Sequence, residues 1–191
     1  MTKLEFIDTI GSVATKVATE RGLGNAQIWT CIAQACCESG FGTSKLMSKA
    51  NAFFGIKATQ SWVNKAKYGG KVYNASTNEC YNGSTYTRIN ACFRAYNSIE
   101  DSVRDYFDLM TLDRYKDSLT KSNVVDCITT IKNGGYATSP TYIQTITNIY
   151  NQYKTDIEKW TINKTTSERT VQDILNDIST LLNELEDVLR K

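Results

Sequence analysis

The chain has 191 residues, 22 basic and 20 acidic side chains, a net charge of +2 and a hydrophobic share of 41%, which fits one moderate domain plus an appendage. No apolar run approaches the ~18 residues that a membrane span requires, and no Lys/Arg cluster with interleaved aromatics points to nucleic acid. Histidine is absent, which excludes Ser-His-Asp and Cys-His catalysis and any zinc site built on imidazole.

Charge is unevenly spread. Residues 161–191 carry four basic and six acidic groups, leaving the first 160 with eighteen and fourteen. A mildly positive body suits a polyanionic partner. The cysteines at 31, 36, 37, 80, 92 and 127 show no C-x-x-C spacing and read as reduced, mostly buried small hydrophobes, consistent with cytoplasmic synthesis. The N-terminus is helix-patterned and acidic and shows no secretory signal. The expectation is a protein made in the cytoplasm and released by another route, or one whose export signal lies outside this sequence.

A first helix is predicted over 4–21, with Phe6, Ile7, Ile10, Val13, Ala14, Val17 and Ala18 on one stripe and Gly22 past its end. A second starts at an Asn25 cap, presents Ile28, Trp29, Ile32, Ala33 and Cys36, and reaches Glu38 before Gly40 and Gly42 end it. On position alone, a Glu before a helix-ending Gly is usually a solvated surface residue. Here the helix C-terminus disfavours its charge, and burial against Phe41, Trp29 or Phe54 would raise its pKa further. A carboxylic acid kept protonated near neutral pH can protonate a leaving oxygen.

Between Tyr68 and Tyr96 the chain is rich in Tyr, Thr, Asn and Val, with Asn82-Gly83 as the hairpin signal. The expectation is an antiparallel ribbon of two or three strands, its tyrosines either filler or platforms for sugar rings. Helical patterning returns at Ser98, with Asp101 three residues on as a capping-box-like start and Ile99, Val103, Phe107 and Met110 on the buried side. A further helix from Asn123 turns Val125, Ile128 and Ile131 inward and stops at Gly134-Gly135. The next is announced by Ser139 as cap and Pro140 at its first position, and Ile143, Ile146, Ile149, Tyr150, Tyr153, Ile157 and Trp160 form one long stripe. Residues 161–170 read as a polar linker. In 171–191, Val171, Ile174, Ile178, Leu181, Leu185 and Val188 alternate three and four apart, and Leu175, Leu182 and Leu189 add a row at spacing seven. That pattern reads either as a helix docked on its own domain or as a coiled-coil-like seam for homo-oligomerisation, multiplying weak contacts by avidity.

Several runs, in order over roughly residues 4–160, carry a family resemblance. Ala33-Gln34-Ala35-Cys36-Cys37-Glu38-Ser39-Gly40-Phe41-Gly42 resembles A-Q-A-x-x-E-S-G-W-G, with Phe41 for Trp. Ala50-Asn51-Ala52-Phe53-Phe54-Gly55-Ile56-Lys57 resembles A-N-N-L-F-G-I-K. Thr77-Asn78-Glu79-Cys80-Tyr81-Asn82-Gly83 is similar to T-x-E-Y-x-N-G, Phe93-Arg94-Ala95-Tyr96-Asn97-Ser98 to F-R-x-Y-x-S, and Gly135-Tyr136-Ala137-Thr138-Ser139-Pro140-Thr141-Tyr142 to G-Y-A-T-D-P-x-Y with Ser139 for Asp. These patterns belong to the peptidoglycan-cleaving endo-β-N-acetylglucosaminidases of autolysins, flagellar proteins and phage lysins (glycoside hydrolase family 73-like).

The resemblance implies an α+β, mostly α, lysozyme-like two-lobed domain over 1–160 with a small β-hairpin lobe. It implies hydrolysis of the β-1,4 bond between N-acetylglucosamine and N-acetylmuramic acid in peptidoglycan glycan strands, without a cofactor or metal. An endolysin or autolysin acting on the wall after release is the expected setting. Glu38 is then the general acid. Glu79 is base, electrostatic stabiliser or ordinary strand carboxylate; an inverting mechanism would set its carboxyl ~6.5–9.5 Å from that of Glu38. Tyr136 either lines the catalytic groove or fills the core. Asn51 is a sugar ligand or a turn cap, Phe41 is expected at the substrate together with Phe54 and Tyr142, and Phe53, Phe54 and Tyr142 read as groove wall or core more than as specific sugar contacts. The alternatives are a lytic transglycosylase, which also uses one Glu, and a non-catalytic wall-binding or virion structural module.

Overall fold

The computed structural model describes residues 1–80, 86–162 and 178–179, and for 77–80 and 86–89 the backbone alone. The chain divides into two units, Met1–Thr161 and Ile162–Lys191. Apart from Ile178 and Ser179, the heptad seam proposed for 171–191 lies outside the described residues.

The first unit is mostly helical with one two-stranded antiparallel sheet. Helix α1 (Lys3–Glu20) opens with a capping box in which the Thr2 hydroxyl accepts from the Glu5 amide and the Glu5 carboxylate accepts from the Thr2 amide. Its 3.6-residue stripe, Phe6, Ile7, Ile10, Ala14, Val17 and Ala18, is buried. Gly11 on that stripe lies under Trp160: a Cβ there would sit 2.3 Å from the indole. The Trp160 carbonyl also accepts from Trp29 Nε1 at 3.1 Å, so the end of the domain is tied to both first helices.

Helix α2 (Asn25–Ser39) is the central post. Ala26, Ile28, Cys31, Ile32, Ala33, Ala35 and Cys36 are all buried, and so are the polar Gln27, Thr30, Gln34 and Ser39, so nearly every face of the helix is inside. It packs on α1 and on the helices after the sheet. Its cap is Gly24, not the expected Asn25. No side chain can cap from glycine, so Gln27 reaches back and accepts from the Gly24 amide at 3.1 Å.

Two short helices then appear that no periodic run announced, α3 (Lys45–Ala50) and α4 (Gln60–Lys65), each started by a side-chain cap, Ser44 and Thr59. Strands β1 (Lys71–Cys80) and β2 (Tyr86–Ala95) form the hairpin. A two-residue turn at Asn82-Gly83 would pair Cys80 with Thr85. The observed register pairs Cys80 with Tyr86 and Lys71 with Ala95, and the Asn82-Gly83 turn itself lies outside the described residues. The base of the ribbon is extended by the Ile56–Ala58 segment, where Ala58 donates to the Cys92 carbonyl at 2.8 Å and Arg94 to that of Ile56 at 2.9 Å.

Helix α5 (Ile99–Met110) is capped by Ser98, whose hydroxyl accepts from the Asp101 amide. It carries the anchor of the hairpin. Asp105, 3% exposed, accepts from Arg94 Nη1 at 2.8 Å, the Tyr96 hydroxyl at 2.6 Å and Trp62 Nε1 at 3.1 Å. Three donors, from α4, from β2 and from the residue just past β2, thus converge on one buried carboxylate. One turn on, Asp108 collects Arg21, Lys67 and Tyr68.

A 3-10 turn (Lys116–Thr120) leads to α6 (Val124–Asn133), capped by Asn123. Val124, Cys127, Ile128 and Ile131 face in, and Val125, expected inside, is 44% exposed. The i, i+3, i+4, i+7 face from that cap begins at 124, which leaves 125 outward. The long final stripe is two helices, α7 (Tyr142–Gln152) and α8 (Lys154–Glu158), broken at Tyr153. Helix α7 begins two residues later than the Ser139-Pro140 signal: Ser139 instead makes a turn whose carbonyl accepts from the Tyr142 amide at 3.3 Å. Cysteines 31, 36 and 127 are buried as expected, while Cys37 is half-buried and Cys92 exposed, because it sits on the ribbon's open face where its thiol meets Asn74.

Candidate active site

A groove of about 720 Å³ opens beside the C-terminal end of α2. Glu38 lies on its wall, one residue before the last of the helix, which Gly40 ends in a left-handed cap at φ 58°. The surrounding wall comes from Phe54 and Gly55, from Tyr115, from the Tyr136 loop and from Tyr142 on α7.

Burial raises the Glu38 pKa, and a hydrogen bond from Tyr142 acts against that rise. The Tyr142 hydroxyl donates to Glu38 Oε1 at 2.6 Å and accepts from Gln34 Nε2 at 2.9 Å. Gln34 is fully buried, and its Oε1 accepts from the Tyr106 hydroxyl at 2.5 Å. The chain therefore runs Tyr106 to Gln34 to Tyr142 to Glu38. With its oxygen occupied by the Gln34 amide, the Tyr142 proton is directed at the acid.

Gly55, at φ +58°, lets the backbone pass close to the carboxyl: a Cβ there would lie 3.9 Å from Glu38 Oε2. The Phe54 carbonyl accepts from the Tyr136 hydroxyl at 2.9 Å, fixing the Tyr136 loop against the Phe54–Gly55 segment. Phe54 itself stacks on Tyr106 at 4.3 Å between centroids. Burial, and then the Glu38 charge, push the Tyr136 and Tyr142 phenols well above their ordinary range, so both stay protonated donors. Cys37, also on the groove, is pushed up to about 11 by burial and then by Glu38. A thiol so reluctant to ionise is a poor nucleophile.

The residues picked from sequence therefore part company. Glu38, Phe54, Tyr136 and Tyr142 meet at the groove. Phe41 does not line it: just past the helix, at φ 53°, its ring turns inward onto Phe6 and Tyr153, at 6.3 and 5.2 Å. Nor does Asn51, which is the left-handed C-cap of α3 and donates through Nδ2 to the Tyr96 carbonyl at 3.2 Å. Trp29 is likewise engaged elsewhere, with Trp160. Glu79 sits near the outer end of β1, its backbone opposite Thr87, and its side chain lies outside the described residues. Gln34 was missed. A glutamine one turn before Glu38, on the largely apolar run Ile28–Cys37, was its signal, since a buried amide needs partners.

A half-buried carboxylic acid whose pKa is raised by burial, on the wall of a groove, is placed to protonate a leaving oxygen. The model of the glucosaminidase family, described as mannosyl-glycoprotein endo-beta-N-acetylglucosaminidase, matches residues 17–155. The chain belongs to that family. It is 33% identical over 133 residues to the peptidoglycan hydrolase FlgJ of Salmonella typhimurium, covering 67% of this chain and 40% of that protein. To the exo-glucosaminidase LytG of Bacillus subtilis it is 31% identical over 163 residues, covering 78% and 55%. The chain thus spans less than two thirds of the length of these curated relatives. Among solved structures, a mutant of a peptidoglycan hydrolase from Sphingomonas sp. A1 superposes with a TM-score of 0.69 at 30% identity, covering 81% of this chain and 97% of that one.

Proposed function

We propose that the chain hydrolyses the β-1,4 bond between N-acetylglucosamine and N-acetylmuramic acid in bacterial peptidoglycan, with Glu38 as general acid. The observation that carries this reading is the place of Glu38 on the groove wall, at the end of α2 and hydrogen-bonded by Tyr142, where burial raises its pKa. Glu38 gives its proton to the bridging oxygen, which leaves as the muramyl 4-hydroxyl. Water adds to C1 of the glucosaminyl unit, and its second proton goes to a base. Positioned acid catalysis of this kind supplies about 10²–10⁴-fold. Tyr142 orients the carboxyl. Tyr136, whose proton is held by the Phe54 carbonyl, offers its oxygen as an acceptor for the substrate's N-acetyl N–H or the water. Glu79 is the candidate base; if the N-acetyl group itself assists, its role is electrostatic.

In this reading the protein is an endo-acting endolysin or autolysin that reaches the wall after release. Residues 161–170 serve as linker, and 171–191 assemble copies so that weak wall contacts add by avidity. A zymogram of wild type against Glu38→Gln tests the chemistry. Clearing by the wild type and none by the variant is expected, and equal clearing by both refutes the acid assignment. Reducible N-acetylglucosamine ends identify hydrolysis, whereas anhydromuramic acid ends would identify a transglycosylase.

A further inference from the structure

Among the groove's described lining residues the charges are uneven, and Lys57 has an interaction of its own. Glu38 is the acid among these residues, while Lys57, Arg94 and Arg114 are cations. Arg94 is spent on Asp105 at 2.8 Å. Arg114 is not spent in this way. It is exposed, between α5 and the 3-10 turn, and among the described residues it pairs with no carboxylate; its neighbour Asp113 is taken by Lys116 at 3.0 Å.

Its position is nevertheless fixed. A Cβ on Gly134 would lie 2.3 Å from the Arg114 carbonyl, so the Arg114 backbone is pressed against the turn that carries Tyr136. The guanidinium stands 4.5 Å from the ring centroid of Tyr115, which is 2% exposed and therefore rigid. Held by its face, a guanidinium still offers its edge as a donor fork suited to a carboxylate. The ring of Tyr115 meets that of Tyr136 at 6.2 Å, and Tyr136 meets Tyr142 at 6.1 Å. A continuous aromatic wall thus runs from Arg114 to Tyr142, which holds the acid.

A neutral amino-sugar polymer gives such a cation hydrogen-bond acceptors but no opposite charge. A muramyl strand supplies that charge, through the lactyl carboxylate of bare glycan or the carboxylates of its peptide stem. We propose that Arg114 is a specificity residue that grips a carboxylate on the muramyl side of the strand, a reading that rests on the peptidoglycan substrate proposed above.

The test compares wild type, Arg114→Gln and Arg114→Lys on four substrates: peptide-bearing strands, amidase-stripped strands, stripped strands with the lactyl carboxyl reduced to an alcohol, and a neutral N-acetylglucosamine oligomer. A lost charge-assisted fork predicts that Arg114→Gln loses about 10- to 100-fold in kcat/KM on carboxylate-bearing strands, with Arg114→Lys between it and wild type. On the reduced strand and the oligomer, wild type and variants should agree. Loss on stripped strands assigns the lactyl carboxylate; loss confined to peptide-bearing strands assigns the stem. Equal loss on the reduced strand, or no loss anywhere, overturns the assignment while leaving the substrate reading intact. Failure of the wild type on every muramyl strand overturns the substrate reading and this inference together. Equal thermal midpoints for the three proteins are expected, since the side chain is exposed.

Discussion

Tyr142→Phe separates the two things that the Tyr142 hydroxyl does. It removes a donor 2.6 Å from Glu38 Oε1 and an acceptor 2.9 Å from Gln34 Nε2. The bond to Glu38 favours the carboxylate and so opposes the rise caused by burial. Without it the acid holds its proton to higher pH, and the basic limb of the pH–rate profile moves upward. The acid itself survives, so activity at the optimum should stay within about tenfold of wild type, the net worth of one ordinary hydrogen bond. Gln34 is fully buried, and its amide loses the acceptor it holds in Tyr142. That costs about 1–3 kcal/mol, at roughly 2–4 °C of melting temperature per kcal/mol for a chain of this size. Turbidity clearing of cell walls across pH, with thermal unfolding of the same samples, reads both effects. A basic limb that stays in place or moves down would refute the hydrogen-bond chain as the control on Glu38.

Glu38→Gln should be a pH-dependent stabiliser. Because the folded pKa is raised from 4.5, the stability that protonated Glu38 contributes is present below the unfolded value and lost as pH rises through the folded one. The two proteins should melt together near the acid end and diverge at higher pH with the variant ahead; a constant gap would contradict burial as the cause. Asp105→Ala should cost about 3–5 kcal/mol, since it strands Arg94, whose side chain is 11% exposed; denaturant unfolding measures it, and a loss below 1 kcal/mol would contradict the anchoring of the hairpin through α5. For the C-terminal segment, light scattering on the full chain and on residues 1–161 should give different masses per particle, and equal monomeric masses would rule assembly out.

What could be read from the chain was what local periodicity encodes. The stripes of α1 and α2, the capped start of α5 and the ribbon between Tyr68 and Tyr96 all follow from spacing, and Glu38 followed from the helix end and its motif. Short α3 and α4 were invisible as patterns, although Ser44 and Thr59 are good caps, because six residues hold too few apolar positions to show a period. Helix α4 also owes its place to a distant partner, with Trp62 bonded to Asp105 on α5. The bond between Tyr142 and Glu38 spans 104 positions, and no local rule reports such a pair. Phe41 illustrates the reverse error. Its motif position suggested a place at the substrate, but the left-handed backbone after the helix sends its ring into the packing of Phe6 and Tyr153.

The account stands on a single protonation state, and carboxyl carbon NMR on glutamate-labelled protein reads it directly, with Glu38→Gln identifying the resonance. The midpoint for Glu38 should lie above that of every exposed glutamate and leave a protonated fraction in the range where the wall is cleaved. A midpoint at or below the ordinary glutamate value of about 4.3 would contradict the claim that this site delivers its proton from a half-buried acid held uncharged by its surroundings.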